Sequence, residues 1–440
     1  MPHSHKPIAP KPIGLASATC LVVASMIGAG LFTTSGFALA DLGTPGRVLA
    51  AWLVGGIVAV CGAICYGCLA RRFCESGGEY LFLARAVHPA AGFMAGCVSL
   101  LAGFTGAIAF AATALESYVT PPDGRLGPLP PGAIAMGTVL LAALLHAWRV
   151  RPGARFQNGL VAVKFAILLS LLGLALWKYP AGWQGLSAAA TGTTADFSIF
   201  AFGLSLMWIS LSYSGFNAAV YIAGEIERPE KAVPQALLLG TVLVGLFYLA
   251  LNTVFLWGPP AAKITGQAEV AAIAAEALGG VWMARLMRVV IGLSLFTSIS
   301  AMTMLGPRVY AKMADDGLLP GWFRPAGEVP RAAIGLQTVL ALVVIGLSGL
   351  RELLSYLGFT LSVSAALTVA TIFLVRHREG AGALPVPFYP LPPMLFVGST
   401  LLFATLAAQR NPWECVAGVG TILVGLVVYR RMPKEGGAGD

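Results

Sequence analysis

Stretches of about 20 apolar residues recur along nearly the whole chain, each long enough to cross the hydrocarbon core of a bilayer as a helix. They lie near residues 14–40, 46–70, 90–118, 132–149, 157–178, 196–224, 232–257, 282–313, 331–349, 352–375, 392–409 and 413–430. Inside a bilayer every backbone polar group must be satisfied within the protein, so segments of this kind fold as helices. Composition agrees: 57% of the 440 residues are hydrophobic and 11% are charged, against about 25% charged in a soluble domain. The expectation is an all-α integral membrane protein of about twelve transmembrane helices forming a single domain.

A net charge of +9 would raise nucleic acid as a partner for a soluble protein. Here Lys and Arg sit in short loops between apolar segments, which excludes that reading. With the N-terminus inside, Lys6, Lys11 and the loops bearing Arg71, Arg72, Arg228 and Arg376 face the cytoplasm, the expected positive-inside bias. Both termini are then cytoplasmic. Short termini and compact loops point to a multi-pass protein of a bacterial inner (plasma) membrane. The apolar run from Ile13 to Ala40 exceeds the 7–15 residues of a signal-peptide core, so it reads as a span.

Cysteines lie mostly in apolar stretches, where Cys behaves as a small hydrophobe, and no disulfide framework is implied. Cys61, Cys65 and Cys68 share a helical face, but no His accompanies them and thiolates are costly in hydrocarbon, so they read as packing residues rather than a metal site. There is no Walker loop, zinc-binding His pair or nucleophile elbow. His88 and His146 stand alone near span ends. The expectation is no enzyme, no cofactor and no metal.

Three features break the apolar pattern. The first span carries Ser25-Met26-Ile27-Gly28-Ala29-Gly30-Leu31-Phe32, two glycines about halfway along a helix with length to spare. Unwinding there would expose the amide end of the following half-helix, a seat for a carboxylate. The competing reading is that Gly28 and Gly30 only let another helix approach closely. The sixth span carries Ser212-Tyr213-Ser214-Gly215-Phe216-Asn217 between two apolar halves, and its competing reading is polar glue between helices. Breaks in spans one and six together are what an inverted repeat of five helices predicts. Lys164 lies roughly 10 Å inside the fifth span. It is a candidate proton carrier or a fixed cation in place of a bound metal ion, with snorkelling to the interface as the alternative. Between spans, 261–280 reads as an amphipathic outer helix over the path.

Taken in order, these residues resemble the amino acid/polyamine/organocation (APC) superfamily of permeases over essentially the whole chain. Gly28-Ala29-Gly30-Leu31-Phe32 is similar to the glycine-rich break of the first helix, and Ser76-Gly77-Gly78-Glu79-Tyr80 to the loop after the second. Gly224-Glu225-Ile226-Glu227-Arg228-Pro229 with Val233-Pro234-Gln235-Ala236 resembles the segment joining helices six and seven. Gly306-Pro307-Arg308-Val309-Tyr310 and the run from Met313 to Pro320 resemble the end of helix eight.

The resemblance implies two inverted five-helix repeats, 12–178 and 196–375, two extra C-terminal helices in 392–430, and alternating access. It places a substrate amino acid at Ile27, Gly28, Ala29, Gly30 and Leu31 and at Ser212, Tyr213, Ser214, Gly215, Phe216 and Asn217. By the same analogy Lys164 occupies the position of a sodium ion beside Thr297 and Ser298, which favours sodium-independent transport. Because the outer loop from Thr120 to Pro131 lacks Cys, no disulfide-linked subunit is expected. The reading is a carrier of neutral amino acids, by proton-coupled symport or exchange. A polyamine or cationic-amine carrier, with Glu116 as its acidic residue, and a nontransporting amino-acid sensor are the alternatives.

Overall fold

A computed structural model describes residues 13–120, 130–147, 154–178, 198–323 and 331–431. Among them the only β-type pairing is an isolated bridge between Ile13 and Ile226; everything else of regular structure is helical, as the apolar pattern requires. The loop residues 121–129 lie outside the described residues.

The first apolar run forms two helices, α1 (Leu15–Met26) and α2 (Ala29–Leu42). Next, α3 (Pro45–Arg72) starts at a Thr44 cap with Pro45 in its first turn, where a missing N–H costs nothing. A short α4 (Glu79–Ala86) precedes α5 (Pro89–Val98), whose first turn is capped by His88: its Nδ1 accepts the amide of Ala90 at 3.1 Å. That helix continues through π-helical turns at Ser99–Gly106 into α6 (Ala107–Val119). Glu116, near its end, accepts the amides of Gly132 and Ala135 at 2.7 and 2.9 Å and so caps α7 (Ala133–Ala147). It therefore serves a helix end, not a substrate cavity.

Beyond α8 (Ala154–Lys178) and α9 (Ile199–Ser212), the chain turns through 213–217 into a 3-10 helix, Ala218–Glu225. Then come α10 (Pro229–Trp257), α11 (Ala261–Ile264) and α12 (Val270–Asp315). The segment read as one outer helix over 261–280 is thus two pieces, and the second merges with the following span through a bend at Gly280 (φ 71°, ψ −168°). The chain closes with α13 (Arg331–Leu347), α14 (Leu350–Glu379), α15 (Leu391–Arg410) and α16 (Pro412–Arg431). Among the described residues, seven helical stretches are long and apolar enough to cross a membrane, counting α1 with α2 and α5 with α6 as single crossings.

Helix α10 lies along both α3 and α1, and α9 packs against α2, α3, α14 and α15. The centre is aromatic: Trp52, Tyr213 and Tyr248 are fully buried, with ring centroids 5.1 to 5.7 Å apart. Cys61, Cys65 and Cys68 are buried within α3 as packing residues. On the outside, apolar side chains such as Leu246, Val289 and Leu347 are exposed, the inverse of a soluble surface and the face that lipid would cover.

Candidate functional site

The two predicted breaks are present and they interlock. Helix α1 ends at Met26 and α2 begins at Ala29, capped by Gly28, which has no side chain to satisfy the first amides of α2. Across from it, α9 ends at Ser212. Gly30 lies against Ser212 so closely that a Cβ there would overlap its Cα at 2.7 Å. Conversely Gly215, at φ 97°, lies against the backbone of Ser25 and Met26, and a Cβ would come within 2.7 Å of the Ser25 carbonyl oxygen. Each break thus supplies the glycine that lets the other's backbone in. Close helix approach is accordingly what Gly30 does, whereas a Cβ on Gly28 would meet nothing nearer than the Met26 carbonyl oxygen at 4.0 Å.

Polar groups stitch the breaks together. The Tyr248 hydroxyl is shared between the carbonyls of Met26, at 2.5 Å, and Ser212, at 3.1 Å. Thr34 Oγ1 and Ser212 Oγ are 2.8 Å apart. Tyr213 donates to the Trp52 carbonyl at 3.0 Å, and the Trp52 indole donates to Ser35 Oγ at 2.8 Å. Lys164 is buried, and its amine donates to the carbonyl of Ile27, one of those released by the break. A buried carbonyl and a buried ammonium without partners would each be costly; this contact satisfies both.

A cavity of about 170 Å³ adjoins the breaks. One water needs about 10–15 Å³, so there is room for a small solute. Tyr213, Ser214, Gly215, Phe216 and Asn217 form one wall, and Lys164, Thr297 and Ser298 another. On the first span the cavity borders Leu21, Ala24 and Ser25 but not Ile27, Gly28, Ala29, Gly30 or Leu31, and it does not reach Ser212. The predicted site is therefore assembled in two parts. Residues 213–217 and the Lys164 group face the cavity, while Ile27, Ala29, Gly30 and Leu31 are buried beside it and Gly28 is half-buried. Thr297 and Ser298 donate to the Ser294 carbonyl at 2.7 and 3.2 Å. His146 Nε2 lies 2.8 Å from Ser300 Oγ, a contact between α7 and α12.

Three contributors escape a reading of the sequence alone. Tyr248 and Trp52 resemble any other aromatic residue in an apolar helix; only the polar spacing of Tyr248 and Asn252, one turn apart, hints at a buried network. Glu79, in a loop motif, is buried and lines the cavity.

Two facing, interlocked helix breaks beside a cavity, inside a bundle of lipid-facing helices, define a membrane transporter. A family model described as amino acid permease matches residues 13–428, and the chain belongs to that family. Its similarity extends to the serine/threonine exchanger SteT of Bacillus subtilis (strain 168), 27% identical over 97% of both chains. It is 26% identical to the large neutral amino acids transporter small subunit 2 of Homo sapiens, over 95% of this chain and 80% of that one. The Asc-type amino acid transporter 1 of Mus musculus is 23% identical over the same shares. The superfamily resemblance drawn from the motifs is borne out.

Proposed function

We propose that the protein exchanges neutral amino acids across the membrane by alternating access, without sodium. The observation that carries this reading is the Lys164 amine bound to the Ile27 carbonyl at the first break, with Thr297 and Ser298 beside it. A fixed cation there makes a second one unfavourable at short range. Its relatives, a serine/threonine exchanger and a transporter of large neutral amino acids, support exchange and neutral substrates.

The substrate carboxylate would sit at the amides of Ala29, Gly30 and Leu31, where the α2 terminus carries partial positive charge. Its amine would meet carbonyls around Ser212, Tyr213 and Ser214, with the side chain toward Phe216 and Asn217. Because residues 29–31 are buried here, binding requires the two breaks to part. The rocking unit would hold spans one and six: Ile13 donates to Glu225 at 2.9 Å and accepts from Glu227 at 3.0 Å, tying the start of α1 to the end of the 3-10 helix that follows the second break. Two five-helix repeats, 12–178 and 196–375, followed by 392–430, an inner (plasma) membrane location with cytoplasmic termini, and no disulfide-linked subunit complete the proposal.

Proteoliposomes preloaded with unlabelled serine, leucine or no amino acid test it. Labelled uptake that requires preloading and is the same in sodium and potassium supports exchange. Accumulation into empty vesicles under a proton gradient makes the protein a symporter, uptake of diamines a cationic-amine carrier, and ligand binding with no flux a sensor.

A further inference from the structure

Glu79 is the first residue of α4, outside the spans, yet it is buried and faces the same cavity as Asn217 and Lys164. Three donors from three elements converge on its carboxylate. Tyr66 of α3 donates to Oε1 at 2.5 Å, Ser364 of α14 donates to Oε2 at 2.9 Å, and Asn217, the last residue of the second break, donates through Nδ2 to Oε1 at 3.4 Å. Asn217 also reaches the Tyr221 hydroxyl, at 3.3 Å.

Every one of these partners is neutral, and among the described residues no Lys, Arg or His forms an ion pair with Glu79. The titratable groups packed around it are Tyr66 and Tyr221, and the Lys164 amine, bound to the Ile27 carbonyl, lines the same cavity. The cations on α12 are engaged elsewhere: Arg308 pairs with Glu225 at 3.2 Å, and Lys312 with Asp316 at 3.0 Å and Glu75 at 3.7 Å. Buried carboxylates normally come with a cation or a metal. One held only by neutral donors, in the wall of a transport cavity, is suited to taking up and releasing a proton.

We propose that Glu79 is a proton-binding site, which ties the second break to α3 and α14 when ionised and loosens that tie when protonated. Proton uptake adds H⁺ to one carboxylate oxygen and changes nothing else covalently. Charge-assisted hydrogen bonds are about twice as strong as neutral ones, so neutralisation weakens all three. The longest, to Asn217, goes first, since the hydroxyls of Tyr66 and Ser364 can turn to accept from the new O–H while the Asn217 amide nitrogen cannot. Burial pushes the carboxyl above the usual carboxylate range, against the hydrogen bonds from Tyr66 and Ser364 that pull it down. What the proton does to transport rests on the function proposed above; where it binds does not.

The test uses the full chain, in detergent and in proteoliposomes. A carboxyl raised in the folded state makes the fold bind the proton more tightly than the unfolded chain does. Its stabilisation is therefore complete below the unfolded value and is lost as pH rises through the folded one. The melting temperature of the native protein should accordingly fall relative to Glu79→Gln as pH rises above the usual carboxylate range, where ionisation is being forced on the buried site. Parallel melting curves overturn the proposal. In vesicles, exchange by the native chain should change severalfold over the same range and Glu79→Gln should change clearly less, Lys164 remaining in both; a Gln variant with the native pH profile also overturns it. If Glu79→Gln does not fold, Ser364→Ala serves instead: removing a donor to the ionised form should move the midpoint to higher pH, and an unmoved midpoint overturns the proposal. A pH-dependent melting difference without any amino-acid flux would leave the proton site standing and remove the transport reading.

Discussion

The amine of Lys164 donates to the carbonyl of Ile27, across 137 residues of sequence, and so pins α8 to the break in the first span. Lys164→Met keeps the aliphatic length and removes the donor. An orphaned buried carbonyl costs about 1–3 kcal/mol, so Lys164→Met should melt earlier, and with the first break no longer held its exchange rate should drop severalfold. Lys164→Arg should not restore it, because a planar guanidinium does not fit a site shaped for a compact ammonium. Initial rates in proteoliposomes at matched protein density decide this; native rates in Lys164→Met would mean the amine merely fills space.

The glycines of the two breaks should separate sharply under substitution. Gly30→Ala drives a methyl into Ser212, and Gly215→Ala drives one into Ser25 while forcing an L-residue to φ 97°. Overpacking of this kind costs about 1–3 kcal/mol. Gly28→Ala meets open space at an extended φ of −113° and should stay within about 0.5 kcal/mol. Thermal unfolding in detergent ranks the three. A large loss for Gly28→Ala, equal to that of Gly30→Ala, would show that the break itself needs glycine rather than the contact.

Tyr248→Phe removes one hydroxyl and leaves the carbonyls of Met26 and Ser212 without their shared donor. The expected cost is about 1–3 kcal/mol, and it should fall on the contact between the breaks, not on the surrounding aromatic cluster. If parting of the breaks admits substrate, this variant should bind amino acid at lower concentration even though it melts earlier. Lower stability together with weaker binding would place Tyr248 in the scaffold alone.

Much of this was legible in the chain because each feature breaks an apolar pattern. Gly28 with Gly30 and the run from Ser212 to Asn217 are small and polar in the middle of spans, and Lys164 is a charge where hydrocarbon is expected. The architecture followed from the same physics, since a bilayer leaves helices as the only option for such segments. What stayed hidden depends on contacts between distant residues. Glu79 sits in a loop, where a carboxylate is ordinarily solvated; only the fold buries it against Asn217 and Ser364, 138 and 285 residues away. Glu116 lies near a span end and looks available for a cationic substrate, yet the amides that it caps come from a loop 16 residues on. The covering of Ala29, Gly30 and Leu31 was equally unreadable, because it depends on how closely Ser212 approaches.

Arg351 joins three helices at the Asp41 end of the bundle. Its guanidinium, at the start of α14, pairs with Asp41 of α2 at 3.3 Å and lies over the Trp208 ring of α9 at 5.1 Å. The cavity borders α1 but no residue of α2, so this contact shuts the side opposite to Leu21 and Ser25. A partly exposed ion pair is worth about 0–1 kcal/mol and an exposed cation–π contact about 0.5–1 kcal/mol. Losing both in Arg351→Ala should raise the population open at that end by up to roughly thirtyfold. Arg351→Lys keeps the charge but not the flat face and should fall between. Ser214→Cys, in a background with Cys20, Cys74 and Cys97 changed to Ser and in sealed vesicles, reports the outcome through a membrane-impermeant thiol reagent. The native chain should label from the end bearing Ile13, and Arg351→Ala should add labelling from the Asp41 end. Labelling unchanged from that end would show that the closure there is held by helix packing, with Arg351 a surface contact upon it.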